Sequence, residues 1–214
     1  YPSGYVNRGS EIDPSDFENE FMQKITSPIS ATFSGIATAN GNIIDVEISA
    51  TATSVISGNW TFACALIEDS VTGTGGTWYQ SNSYAGGSAG NLIDVDGTDW
   101  STLPNWVPDV QMIYRHVARG IQPSFNGAAL PQSTYNIGDV FTKNFQFTID
   151  PSWDINKMHV VGMLINNGEI DNALSLPVSI STSTNVDNVS SDIDFDIYPN
   201  PSNSTTTLLL NLES

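Results

Sequence analysis

Cysteine and positive charge are both scarce in this chain of 214 residues. Cys64 is the only cysteine, so an internal disulfide is excluded. Six Lys and Arg residues against 23 Asp and Glu residues give a formal net charge of −17. Because nucleic-acid binding needs cationic side chains to neutralise phosphates, this composition argues against nucleic acid as a partner. The acidity favours solubility, with cation binding as the alternative.

Long apolar runs are missing as well. No run approaches the roughly 20 residues that a membrane-spanning helix needs, so we predict no transmembrane segment. The chain does not open with the basic and then apolar residues of an export signal. It begins at Tyr1 without a methionine, which suggests a processed or excised piece of a longer protein.

Apolar residues at helical spacing occur near the start of the chain. Phe17, Phe21 and Ile25 recur every four residues, which predicts a short amphipathic helix over residues 12–25 with these three side chains as its buried stripe. Asp13 followed by Pro14 has the composition of an N-cap and first helical position.

From residue 30 onward the apolar period changes to two, which is typical of strands. Asn40-Gly41 and Asn167-Gly168 supply the composition of tight hairpin turns. Strands are predicted over residues 31–38, 42–54, 59–68, 139–149, 158–165 and 173–180, with a strand or mixed element over 112–121. The predicted fold class is mainly β, an antiparallel β-sandwich with one short N-terminal helix.

Two of these strands differ in how they are buried. Residues 42–54 alternate apolar with polar side chains, which predicts one buried face and one solvent-exposed face. Residues 59–68 are apolar on both faces and are predicted to form a central strand. Cys64 lies in the middle of this strand, so we interpret it as a small buried hydrophobe and not as a reactive thiol.

A Gly-rich loop over residues 69–105 is too long for an ordinary connection, and such loops are often functional. Its aromatic rings suit sugar or protein recognition. The predicted ligand-binding residues are Trp78, Tyr79, Tyr84, Trp100 and Trp106. The alternative is that these rings close the ends of the sandwich core.

The same loop offers oxygen ligands for a hard cation. Asp94, Asp96 and Asp99 carry carboxylates at close spacing around a glycine, which favours Ca²⁺ if a metal binds, and a solvated acidic loop is the alternative. No other cofactor is indicated. His116 and His159 are far apart in sequence and lack a Gly-x-Ser-x-Gly elbow or a helical metal motif. We therefore expect structural histidines, no catalytic residues and no enzyme activity.

The C-terminal residues have a different composition. Residues 182–191 are polar and are predicted to form a linker. The motif Tyr198-Pro199-Asn200-Pro201 after that linker resembles the start of the C-terminal sorting domain of type IX secretion cargo, so residues 192–214 are identified as a truncated sorting domain. This resemblance implies export by the type IX secretion machinery and a secreted or cell-surface location at the bacterial outer membrane.

A second resemblance covers most of the remaining chain, and it is to the outer-membrane protein 28-related family. It rests on Tyr1-Pro2-Ser3-Gly4-Tyr5-Val6-Asn7-Arg8, Leu66-Ile67-Glu68-Asp69-Ser70-Val71-Thr72-Gly73, Ile113-Tyr114-Arg115-His116-Val117-Ala118-Arg119 and Met158-His159-Val160-Val161. The family typically joins a thioredoxin-like domain to a β-sandwich. The resemblance implies that residues 1–28 are a thioredoxin remnant with Pro2 as its cis-proline, and that residues 29–181 are the sandwich.

The resemblance also implies what this chain lacks. The part of a thioredoxin-like domain that would carry a Cys-x-x-C pair is absent, and dithiol exchange normally needs a second thiol. The triplet Asp69-Ser70-Val71 resembles the O-glycosylation site used by such bacteria, which makes Ser70 a predicted modification site.

Three functions therefore stay open from the sequence. The first is a secreted or cell-surface interaction or adhesion module that binds a glycan or a surface protein. The second is an accessory domain of a thioredoxin-like redox protein. The third is a structural subunit that self-associates through open strand edges.

Overall fold

A computed structural model describes residues 4–94, 96–181, 195–198 and 207–210. Tyr1, Pro2, Ser3 and the predicted linker over 182–191 lie outside these described residues. The chain divides into two compact units, Tyr1–Ser181 and Thr182–Ser214. In the second unit, Phe195–Tyr198 pairs antiparallel with Thr207–Leu210.

The first unit is mainly β, as the sequence predicted. Its elements are β1 Gly4–Tyr5, β2 Glu11–Ile12, α1 Phe17–Ile25, β3 Ala31–Asn40, β4 Ile43–Ala52, β5 Ile56–Ser57, β6 Trp60–Glu68, β7 Gln80–Ser81, β8 Trp106–Val107, β9 Val117–Gln122, β10 Ala128–Ala129, β11 Thr134–Tyr135, β12 Val140–Thr148, β13 Met158–Asn166, β14 Glu169–Pro177 and β15 Ser179–Ile180. Short 3₁₀ turns lie at Pro14–Asp16, Gly76–Trp78, Trp100–Thr102, Asp109–Gln111 and Ile155–Lys157.

Two main sheets form the sandwich. The first has the strand order β12-β4-β3-β15. In the second, β6 is central: β13 pairs with it on one side, and β9 and β10 pair with it on the other. Strand β14 lies beyond β13. All pairs are antiparallel except β15 with β3. The chain leaves the second sheet at Val178, whose N–H donates to Met158, and joins the first sheet at Ser179.

The core lies between the inner faces of the two sheets. Phe62 of β6 is 1% exposed and lies 5.8 Å from Phe145 and 6.2 Å from Phe141 of β12, ring centroid to centroid. In β4, Ile44 and Ile48 are fully buried, and the alternate side chains face away from the core. The predicted alternation in β4 and the predicted central position of β6 are both confirmed.

The predicted buried stripe of the helix is wrong. The α-helix begins at Phe17, after a 3₁₀ turn, and Asp13 caps that turn by accepting from the N–H of Ser15 at 3.0 Å. Phe21 is 51% exposed and Ile25 is 61% exposed. The physical reason is that α1 lies beside the edge strand β14 rather than over the core, where these two side chains line an open cleft.

The first hairpin turn also differs by one residue from the prediction. Asn40 pairs with Ile43, so the two turn residues are Gly41 and Asn42 and not Asn40-Gly41. Gly41 has a φ of 61°, which a glycine adopts without steric cost. In the second hairpin, Asn167 and Gly168 occupy the turn as predicted, with φ values of 50° and 95°.

None of the helices in the described residues has the length and apolar composition that crossing a membrane requires.

Close packing of β3 against β4 gives a test of the sandwich. A Cβ atom on Gly35 would lie 2.5 Å from the carbonyl oxygen of Glu47 and 3.0 Å from Leu176 Cδ1, so the backbone would have to move. We expect Gly35→Ala to lower the free energy of unfolding by about 1–3 kcal/mol in urea denaturation. The matched control is Gly76→Ala, where nothing lies within 4 Å. Equal stability of the two variants would contradict this packing.

Candidate functional site

The candidate site is built at the end of the central strand β6. Strands on both sides of β6 pair with its last residue, Glu68: Met158 of β13 from one side and Val117 of β9 from the other. Because successive side chains of a strand point to opposite faces, Glu68 lies on the same face as the core residue Leu66. Glu68 is 4% exposed, so a carboxylate is buried where three strand ends meet.

A buried ion pair satisfies this carboxylate. Arg119 Nη2 and Nε each lie 2.7 Å from Glu68 Oε2. The backbone N–H of Asp154 donates to Glu68 Oε1 at 2.8 Å. Arg119 Cζ lies 5.1 Å from the ring centroid of Trp153, a cation–π distance. These contacts tie β9 and the 150–157 segment to the end of β6.

Next to the ion pair is an open cleft that we name the aromatic groove. It consists of two adjoining pockets of about 450 Å³ and 330 Å³, which share Val71, Trp78 and Arg119. Tyr114 lines the first pocket, which is mostly apolar, and Trp153 lines the second. The second pocket is more polar and is also lined by Glu68, Ser70, Thr72, Ser152, Asp154 and Lys157.

Backbone contacts hold Trp78 in this groove. Val71 and Tyr114 exchange two backbone hydrogen bonds of 2.9 Å, which closes the long loop at its base. The Tyr114 hydroxyl donates to the carbonyl oxygen of Trp78 at 2.8 Å, and the two rings lie 5.8 Å apart. Trp78 also covers Gly73 so closely that no larger residue would fit there unless the ring moved.

The five predicted aromatic residues do not share one surface role. Trp78 is half-buried in the aromatic groove. Tyr79 and Trp106 point outward, with 43% and 64% of their surface exposed, and they lie next to the short β7–β8 ribbon. Tyr84 and Trp100 are half-buried within the loop. Ligand contact by these five rings stays a prediction.

The three predicted calcium ligands each have protein partners. Asp94 Oδ1 accepts from the N–H groups of Asp96 and Thr98 at 2.9 and 3.0 Å, and Oδ2 accepts from the Trp100 ring N–H at 3.1 Å. Asp99 caps the 3₁₀ turn at Trp100. Within residues 4–94 and 96–181, no group of three His, Cys, Asp or Glu side chains is arranged to hold a metal. The calcium site stays a prediction.

Asp96 and Ser70 are held by Arg115. The Arg115 guanidinium lies 3.0 Å from Asp96 Oδ2 and 3.3 Å from Asp69 Oδ2, and it donates to Ser70 Oγ at 3.0 Å. Desolvation raises the pKa of Asp69, but hydrogen bonds from Ser70 and His116 and the charge of Arg115 outweigh it and lower that pKa to about 2. Glycosylation of Ser70 stays a prediction, and its hydroxyl is half-buried in this contact.

The two histidines meet, which their separation in sequence gave no reason to expect. The rings of His116 and His159 lie 5.7 Å apart, centroid to centroid, at 88°. Among the described residues, the hydrogen bond made by His116 is that of its backbone N–H to Asp69 Oδ1 at 3.3 Å. The prediction that both histidines are structural stays a prediction.

Cys64 lies in the core as predicted. It is fully buried in β6, and burial raises the pKa of its thiol to about 12. A thiol in this state does not supply the thiolate that disulfide exchange requires.

Four groove residues, Glu68, Tyr114, Arg119 and Trp153, were not predicted as site residues. Glu68 and Arg119 are 51 positions apart, and no local spacing connects them. One signal was present: Glu68 stands on the core side of an apolar strand, and a carboxylate in such a place needs a partner. With so few cations in the chain, Arg119 was one of a small number of candidates.

The Glu68–Arg119 pair gives a stability test. Glu68→Ala leaves a largely buried guanidinium and the Asp154 N–H without their acceptor, and we expect it to lower the free energy of unfolding by about 3 kcal/mol. Arg115→Gln, which breaks the exposed ion pairs with Asp69 and Asp96, is the control and should have a much smaller effect because water screens those charges. Urea denaturation measures the free energy of unfolding of both variants. Similar losses would contradict a larger contribution to stability from the buried Glu68–Arg119 pair.

The state of the single thiol gives a second test. We expect Cys64 to be inert to a disulfide reagent such as dithionitrobenzoate at pH 8 in the native protein, because the thiol is buried and protonated. In concentrated urea one equivalent should react at once. Fast reaction of the native protein would contradict the burial of β6.

Similarity to known proteins identifies the family of this chain. None of the curated proteins compared with this chain matches it in sequence. Among solved structures, a domain of the outer membrane lipoprotein Omp28 from Porphyromonas gingivalis matches 73% of this chain and 93% of its own length, with 10% identity and a TM-score of 0.38. The sequence model of the family described as outer membrane protein Omp28 matches residues 1–193. With most of its length matched by that model, this chain belongs to the Omp28 outer membrane protein family.

Proposed function

We propose that this chain is an interaction module of the outer membrane or cell surface, which binds its ligand in the aromatic groove and catalyses no reaction of its own. The observation that carries the proposal is the groove itself. Trp78 and Trp153 line a cleft beside the Glu68–Arg119 ion pair, at the base of a loop that also exposes Tyr79 and Trp106. Family membership supports the location at the outer membrane.

The composition of the groove favours a glycan as the ligand. Saccharides present flat apolar faces that stack on aromatic rings, and their hydroxyl groups need hydrogen-bond partners nearby. The first pocket offers the Trp78 and Tyr114 rings, and the second adds Ser152, Asp154 and Lys157. A surface protein that inserts an aromatic or aliphatic side chain is the alternative ligand.

Two observations favour binding over chemistry. The only thiol is buried with a raised pKa, which argues against a direct part in disulfide exchange. The groove carboxylate of Glu68 is occupied by Arg119 and the Asp154 N–H. A role as accessory domain of a redox protein would need a dithiol supplied by another domain.

The edge of the first sheet argues against the alternative of assembly into a filament through open strand edges. Its edge strand β12 carries Lys143 opposite the buried Ile48, so a charged side chain shares the inner face of that strand. Inward-pointing charges at an edge are a common protection against pairing with another strand.

Export through the type IX machinery remains our proposal from the Tyr198-Pro199-Asn200-Pro201 motif.

Binding can be tested by closing the groove without removing a packed ring. Thr77 is exposed and lines the first pocket, so we expect Thr77→Arg to fill the cleft and weaken ligand binding at least tenfold. The control is the same change at Thr32, an exposed position of β3 in the first sheet. A glycan array and a pull-down with cell-surface extract identify the ligand class, and titration calorimetry then measures the affinities.

Both variants should melt at the temperature of the native protein, which separates loss of binding from loss of folding. Binding that survives Thr77→Arg but disappears in Trp106→Ala would move the site to the exposed loop. A blank array together with a blank pull-down would refute the binding proposal.

A further inference from the structure

His116 and His159 are brought together by the register of the second sheet. His116 immediately precedes β9 and His159 is the second residue of β13, and both strands reach Glu68 of β6 from opposite sides. The two imidazoles therefore lie at the same end of the sheet. Their centroid distance of 5.7 Å and interplanar angle of 88° describe two rings in contact.

Asp69 supplies negative charge beside this pair. Its N–H donates to Lys157, which extends the β6–β13 ladder by one residue, and its Oδ1 accepts from the His116 N–H at 3.3 Å. This contact accompanies a left-handed backbone at His116, with a φ of 52°.

The imidazole nitrogens are free to act as ligands. Across residues 4–94 and 96–181, neither ring donates or accepts a hydrogen bond, although histidine nitrogens in folded proteins usually do. Divalent transition metals bind the neutral form of the imidazole.

We propose that His116 and His159 together bind one divalent transition-metal ion of the class that prefers imidazole, such as Zn²⁺. Two imidazoles that share one Zn²⁺, each nitrogen at about 2.0–2.1 Å from it, have ring centroids about 5 Å apart, close to the separation found here. Asp69 contributes charge rather than a ligand bond, and the remaining coordination positions are open to water or to a donor from another molecule.

This site is separate from the aromatic groove. Glu68 and Asp69 are consecutive at the end of β6 and point to opposite faces, with Glu68 lining the groove and Asp69 contacting the histidine pair. Failure of the groove proposal would leave the metal proposal intact. The metal proposal also differs from the calcium prediction, because it uses nitrogen ligands and another segment of the chain.

The test is titration of ZnCl₂ into the metal-free full chain at pH 7.5, followed by calorimetry and by the histidine side-chain signals in NMR. We expect one Zn²⁺ per chain and shifts of both histidine signals. His116→Gln and His159→Gln should each weaken binding about tenfold or more, since loss of an outer-shell partner alone costs that much. Asp96→Asn in the acidic loop is the matched control and should bind as the native protein does.

Two further measurements complete the experiment. Excess Ca²⁺ should not displace Zn²⁺, and lowering the pH to 5.5 should weaken binding because protons compete for the imidazoles. The melting temperatures of the metal-free variants report whether each still folds. No Zn²⁺ binding, or binding that both histidine variants retain, would overturn the proposal. Binding lost in Asp96→Asn but kept in the histidine variants would also overturn it and place the ion in the acidic loop.

Discussion

The rest of this structure depends on β6 being hydrogen-bonded along both edges. Its inner face supplies Phe62, Cys64 and Leu66 to the core, and β13 on one side and β9 on the other both pair with its last residue, Glu68. A strand buried on both faces tolerates a carboxylate at its end only if that carboxylate has a charged partner, because an unpaired buried charge is costly. Arg119 on the adjacent strand provides the partner.

This end of the second sheet gathers the scarce cations of an acidic chain. Arg115, Arg119 and Lys157 are three of the six Lys and Arg residues, and both histidines lie here as well. Each of the three cations contacts a carboxylate: Arg115 contacts Asp69 and Asp96, Arg119 contacts Glu68, and Lys157 contacts Asp154. The alternation of side chains at the end of β6 then divides these groups between two faces, which allows one strand end to support both a groove and a histidine pair.

The groove and the buried thiol are the two features on which the proposed binding role depends. Three groups with reactive potential are engaged in structure: Cys64 is in the core, Glu68 is in an ion pair, and Ser70 is held by Arg115. The aromatic rings are different, because Trp78 and Trp153 face open space and Tyr79 and Trp106 face outward. Membership in an outer membrane protein family is consistent with a module that meets its ligand at the cell surface.

The sequence by itself determined the period-two strands, the central place of β6 and the burial of Cys64, because side-chain alternation and apolar content are local properties. It also indicated the second hairpin turn at Asn167 and Gly168. Tertiary structure decided which faces were covered: it exposed the apolar stripe of α1 by seating the helix beside an edge strand, and it paired Glu68 with Arg119. It alone brought His116 to His159, because strand register joins residues 43 positions apart through hydrogen bonds that no local pattern in the chain encodes.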